Sequence, residues 1–291
     1  MKTKKKLSDL IFRYLLFLFT IVTVLSVILI GCFMVRSGGP GILRVGIFNF
    51  LFGDTWNTSV SPEQYGILPF LLSSVMAMGA TVIVAVPASV LVAIGMAHFL
   101  PRPVAAVLRT IISMLAGIPS VIYGFVGMVV LVPFVQEVFS LPAGLTLLSA
   151  VLVLIVMTLP TIISVSESSI TAVAPEYMEA SLALGVDKEY TLLHIVVPAA
   201  KSGILAGILL GLGRAVGETM AVIMVAGNVP DMPEFLKPVR FLTTAIVTEM
   251  AYATEETSQV LMGIGLVLFV FIVIINGIFY GLIRTSARQK G

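Results

Sequence analysis

The chain has 291 residues, 58% of them hydrophobic and 11% charged, against roughly 45 to 50% and about 25% for a soluble globular domain. That composition excludes a globular fold surrounded by water, and a formal net charge of +2 supports no nucleic-acid reading. The single cysteine, Cys32, excludes an intrachain disulfide and a cysteine metal site.

Six apolar stretches, at about 12–35, 67–97, 105–135, 144–166, 200–227 and 259–283, are long enough to cross a hydrocarbon layer about 30 Å thick, which takes on the order of 20 helical residues. The predicted fold is all-α, a polytopic membrane protein of about six transmembrane helices. Residues 1–66 form an N-terminal tail, a first span and an external loop, and residues 67–291 the main transmembrane domain. With the N-terminus inside, Lys2, Lys4, Lys5, Lys6, Arg13, Arg102, Arg109, Lys188, Lys201, Arg284, Arg288 and Lys290 fall on the inner side. Only Arg36, Arg44, Lys237 and Arg240 fall outside. This excess is the positive-inside bias, and it places both termini in the cytoplasm.

The first stretch follows four lysines but has no small-x-small cleavage site, so it reads as a retained signal anchor. The segment from Arg36 to Gly66, with Ser37-Gly38-Gly39-Pro40 and Trp56-Asn57-Thr58-Ser59, favours turns and caps the mouth. In the third stretch, Pro119 and Gly124 within Ile118 to Phe125 admit two readings: an unwound segment lining a cavity, with Tyr123 on the pathway, or an ordinary kink.

The inner loop, about 167–199, has strong punctuation. Pro175 suits the first position of a helix, Glu176 and Glu179 suit its positive end, and Gly185 can take a left-handed cap. A helix is predicted at about 175–184, then a one-residue hinge, then a second helix capped by Asp187 and stopped at Pro198. A loop built this rigidly is a docking element. A surface-lying amphipathic hairpin would instead carry a basic polar face, whereas residues 175–190 hold several acids and one lysine. Glu167, at the inner end of the fourth span, reads as an interface residue.

In the fifth span, Gly203, Gly207 and Gly211 line one face at four-residue spacing, which suits close helix packing. Arg214 and Glu218 follow. Counted from Lys201, Arg214 lies roughly 20 Å along the helix. Ionisable groups at such depth cost about 2.5 to 3.5 kcal/mol on insertion scales and normally face protein or a water-filled path. The alternative is that the two neutralise each other at i and i+4, although Arg placed before its acid is the weaker orientation. Glu249, outside, is read either as an acid on a re-entrant turn that guides or excludes anions, or as a solvated loop residue.

Nothing here reads as catalytic or metal-binding. There is no Gly-x-x-x-x-Gly-Lys-Ser/Thr phosphate loop and no His-Glu-x-x-His string, and His98 and His194 have no evident partner in sequence. The chain is therefore expected to bind no cofactor itself.

The string Glu179-Ala180-Ser181, then Gly185, then Ile195-Val196-Val197-Pro198 resembles the EAA loop of ABC-importer permeases, with Ser181 and Val197 in place of Ala and Leu. Tyr65-Gly66-Ile67-Leu68-Pro69-Phe70, Gly117 to Phe125, Gly213-Arg214-Ala215-Val216-Gly217-Glu218-Thr219-Met220 and Ala226-Gly227-Asn228 are similar to the PstC-type membrane subunit of phosphate-specific ABC importers. Ser73-Ser74 and Phe241 depart from that pattern. The resemblance implies inward transport of inorganic phosphate in the plasma membrane. It implies a PstA-like second permease, a PstB-like ATPase dimer carrying ATP and Mg at the cytoplasmic loop, and an external phosphate-binding protein. Glu179, Ala180, Gly185 and Pro198 would form the ATPase contact, and Arg214 and Glu218 would serve the anion. Sulfate or molybdate importers share this chemistry of size and charge. An ion-coupled carrier would be expected to show paired interrupted repeats and no rigid hairpin.

Overall fold

The structure is a computed structural model that describes residues 2–58, 60 and 63–288, with side chains over 12–58, 60 and 63–281. Ser59 and Lys290 lie outside the described residues, and the side chains of Lys2, Lys4, Lys5, Lys6, Arg284 and Arg288 lie outside the described side chains. Among the described residues thirteen α-helices run in chain order: α1 Lys2–Val45, α2 Ile47–Phe52, α3 Leu68–Ile94, α4 Arg102–Ala116, α5 Ser120–Val126, α6 Val132–Val138, α7 Leu147–Thr171, α8 Pro175–Ala183, α9 Lys188–Thr191, α10 Val197–Gly217, α11 Met220–Val225, α12 Leu242–Glu249 and α13 Glu255–Arg288. Two two-residue strands, β1 Trp56–Asn57 and β2 Gln64–Tyr65, pair antiparallel.

Among the described residues six helical segments are long and apolar enough to span a bilayer: Phe12–Val45, Leu68–Phe99, Ser120–Val138, Leu147–Thr171, Lys188–Gly217 and Glu255–Gly281. An even number of crossings puts both termini on one face, here the terminal face, together with α8 and α9. The two segments that carry α2, β1 and β2, and α12, lie on the opposite, far face. The chain is a multi-pass membrane protein.

Four details differ from the sequence-based expectation. Residues 36–45 are helical, not turns, because Gly38 and Gly41 let α1 press on α13: a Cβ on Gly38 would lie 2.5 Å from the Met262 carbonyl oxygen, and one on Gly41 2.6 Å from that of Gln259. The third stretch, where Pro119 and Gly124 left room for a break, is broken at Gly117-Ile118-Pro119, and its span begins only at Ser120, not near 105, so α4 is separate from it. The fifth span starts at Lys188 and ends at Gly217. Pro198 does not stop it.

Three π-helical turns explain how proline is tolerated. Gly95–Phe99, Gly127–Leu131 and Leu192–Val196 each precede a residue–proline pair, Leu100-Pro101, Val132-Pro133 and Val197-Pro198. In each, the residue before the proline donates its N–H back five positions, to Gly95, Gly127 and Leu192. Proline has no N–H, and its ring collides with the carbonyl four residues back. Widening the turn by one residue relieves that collision and leaves the chain helical at Val132 and Val197, whereas Leu100 is extended and the helix ends before Pro101.

The hub is α7, which packs on α3, α4 and α10. Lipid supplies no hydrophobic drive between helices, so small residues that permit close approach set the packing. On α3, Ser73, Ala77, Thr81, Ala85, Ser89 and Ala93 recur every fourth residue and are all buried. On α10, a Cβ at Gly207 would lie 3.0 Å from Val165 and one at Gly211 2.5 Å from Ile162, which bears out the packing role read from their spacing. Gly211→Leu is therefore expected to force α10 off α7 at about 1 to 3 kcal/mol, the usual cost of overpacking. A lower detergent-melting midpoint and reduced membrane yield would show it, whereas Gly213→Ala, where a Cβ meets open space, should leave both unchanged.

Candidate functional site

Arg214 occupies the last turn of α10, and the helix ends three residues later at Gly217. Its guanidinium Nη1 donates to the carbonyl of Ala116 at 3.3 Å. Tyr123, at the start of the third span, donates its hydroxyl to the neighbouring carbonyl of Leu115 at 2.7 Å. Both groups thus meet carbonyls at the C-terminal end of α4, where the helix dipole favours a cation; the Leu115 carbonyl also accepts from the Ile118 N–H at 3.1 Å. The break at Gly117-Ile118-Pro119 that exposes those carbonyls is what places Tyr123 and Arg214 together.

Arg214 and Glu218 do not pair: neither takes part in an ion pair among the described residues. The helix stops between them. Glu218 has extended backbone, φ −70° and ψ 128°, and its Oε1 accepts from the N–H of Ala221 at 2.9 Å. It therefore serves an otherwise unpaired N–H at the start of α11. Thr243, at the head of α12, donates to the Glu218 carbonyl at 3.1 Å, and Ser74 of α3 accepts from the Leu242 N–H at 3.2 Å. A 20 Å³ cavity lies among Ser74, Glu218, Phe241 and Thr243, room for about one water. The short α11 seats on α5 through Gly124, whose Cβ would stand 2.7 Å from Ala221.

Glu249 is apart from this centre. It ends α12 and forms an ion pair with Arg240, and both its oxygens accept from the Trp56 indole, at 2.9 and 3.0 Å. It is therefore paired and half-buried, not a freely solvated loop acid. Arg240 also donates through Nε to the Asn228 carbonyl at 2.9 Å and lies over the Phe70 ring at 5.7 Å. Asn228 and Gly227 both have left-handed backbone, φ 57° and 82°, a conformation that favours glycine and tolerates asparagine. This accounts for the Ala226-Gly227-Asn228 string. Nearby, burial and then the Glu63 carboxylate that accepts its hydrogen bond push the Tyr65 phenol up. Sequence reasoning missed Arg240 and Trp56 as partners; the lone tryptophan in a polar segment was the available signal.

On the terminal face, α8 begins at Pro175 and Gly185 has φ 80°, as the punctuation predicted. The hinge is four residues, 184–187, and Asp187 stands at the head of α9 without a side-chain cap. Ser181 bonds Thr191 at 2.8 Å, both buried, and so fastens the two helices. Glu179, Ala180, Gly185 and Pro198 are exposed. Ala180 lines an apolar groove of 530 Å³ with Tyr177, Leu184, Tyr190 and Ile195. Lys188 ties the loop to the π-turn that follows α3 by donating to the His98 carbonyl at 2.7 Å.

Residues 85–288 match the family model described as binding-protein-dependent transport system inner membrane component. The chain belongs to this family. Within it, the chain is 34% identical to the probable ABC transporter permease protein YqgH of Bacillus subtilis, over 99% of this chain and 94% of that one. It is also 34% identical to the phosphate transport system permease protein PstC of Pasteurella multocida, covering 84% and 82%, and 32% to PstC of Haemophilus influenzae, covering 95% and 92%. Its fold matches inward-facing MetNI methionine ABC transporter structures, with TM-score 0.56 at 18% identity over 76% of this chain and 94% of that one. As a member of this binding-protein-dependent family, the chain is a permease component.

Proposed function

We propose that this permease carries inorganic phosphate into the cytoplasm, with Arg214 binding the anion's charge on its way. One observation carries the assignment: among the described residues the guanidinium of Arg214, inside a membrane span, is paired with no carboxylate, and the nearby Glu218 is engaged in capping α11. A cation so placed favours an incoming anion, and the fork of Arg suits phosphate oxygens. The similarity to proteins called PstC supports phosphate as that anion. Tyr123 borders the same pathway, and Glu218 accepts a hydrogen bond from the protonated oxygen that phosphate, unlike sulfate, still carries near neutral pH.

Both termini and the α8–α9 loop face the cytoplasm on this reading. The apolar groove beside Ala180, with Glu179 and Gly185, receives a PstB-like ATPase dimer that holds ATP and Mg, and Pro198 marks where the loop joins α10. A PstA-like permease completes the pore, and a phosphate-binding protein delivers the anion at the far face, where Glu249 holds the cap in place.

The test is ATP-dependent uptake of radiolabelled phosphate by vesicles containing the complete complex, with excess sulfate as competitor. Uptake is expected to resist sulfate and to fall about tenfold in Glu218→Gln, the loss of roughly one charge-assisted hydrogen bond, with assembly retained. Uptake abolished by sulfate would reassign the anion.

A further inference from the structure

A second charged pair, Arg109 and Glu167, has no role in the reading above. Glu167 lies in α7 with its side chain 7% exposed, and Arg109 on α4 grips both its oxygens: Nη2 to Oε1 at 2.5 Å and Nε to Oε2 at 3.5 Å. That bond raises the Arg109 pKa further above its ordinary value. Little else fastens α4. Of its fifteen residues only Ala105 and Ile112 are buried, whereas Val104, Val107, Ile111 and Met114 are exposed. Its other end supplies the carbonyls that receive Tyr123 and Arg214.

We propose that Arg109 and Glu167 are positioning residues that hold the C-terminal end of α4 against Arg214, and so fix where its guanidinium points. Seven residues separate Arg109 from Ala116, about 10 Å of helix, so a tilt of α4 allowed at Arg109 displaces the Ala116 carbonyl directly. A two-point grip on a buried carboxylate resists both sliding and rotation of α4, which a single bond does not. The inference rests on the reading of Arg214 as the anion's site.

A pair that only stabilises would be replaceable by two neutral residues, since removing both charges leaves none stranded. The experiment therefore compares Arg109→Gln, Arg109→Lys and the double variant Arg109→Gln with Glu167→Gln in the assembled complex. Each also carries Cys32→Ser and a spin label at Ser113→Cys, an exposed site one turn from α4's end. The double variant should assemble better than Arg109→Gln alone, yet its label should become more mobile. Its phosphate uptake should fall on the order of tenfold to a hundredfold, as for a misplaced group, while ATP hydrolysed per phosphate moved rises. Arg109→Lys should fall between. A double variant with the wild-type spectrum overturns the proposal whatever anion the complex carries. Wild-type uptake in a double variant whose label has loosened overturns it too. A wild-type complex that moves no phosphate defeats the assignment of phosphate, and the spectra still decide whether the pair positions α4.

Discussion

Arg214→Ala is expected to lower phosphate uptake at least about a hundredfold, roughly 3 kcal/mol, the scale of one to two charge-assisted hydrogen bonds, while the complex reaches the membrane at its normal level. The two halves follow from the same geometry. Arg214 makes one long bond, 3.3 Å to Ala116, and among the described residues is paired with no acid, so its removal strands no described carboxylate. Alanine is also a better helix residue there. What is lost is the counter-charge for the anion. Arg214→Lys retains charge without the planar fork and should transport at an intermediate rate. Initial uptake rates normalised to assembled complex measure this, and undiminished uptake in Arg214→Ala would remove the residue from the pathway.

The far-face pair behaves oppositely. Arg240→Gln strands Glu249, whose side chain is 21% exposed, and should destabilise the cap by about 3 kcal/mol, the lower end for breaking a buried pair. It should appear as a lower melting midpoint and faster proteolysis between residues 53 and 66, the segment that Trp56 anchors to Glu249. Adding Glu249→Gln to Arg240→Gln should recover most of that loss, because a neutral amide still accepts from the Trp56 indole and no charge remains. If Glu249→Gln alone cut uptake with the midpoint unchanged, Glu249 would act on the anion and not on the cap.

The span count was legible because it depends only on hydrocarbon thickness and run length. The α8–α9 hairpin was legible because Pro175 and Gly185 act locally, through fixed φ and left-handed φ. Gly207 and Gly211 were legible from their spacing alone. What escaped was set by contacts distant in sequence. Gly38 and Gly41 look like turn formers until α13 is beside them, and nothing near Glu249 announces that Trp56, 193 residues away, will hold it. Arg214 and Glu218 stood four residues apart, the spacing of a helical pair, and only the break after Gly217 separates them. The α3 seam of Ser73 through Ala93 is likewise hidden, since hydroxyls and alanines give weak apolar periodicity.

The persistence of helix through Pro198 gives the molecule a lever arm. From the π-turn ending at Val196 to Arg214 is eighteen residues of helix, about 27 Å. A swing of roughly 5° about that turn would carry the guanidinium about 2 Å, from the same trigonometry on a helix of 1.5 Å rise per residue. A bond already 3.3 Å long would not survive such a step, so a small rocking of the α8–α9 hairpin would be enough to change what Arg214 can hold.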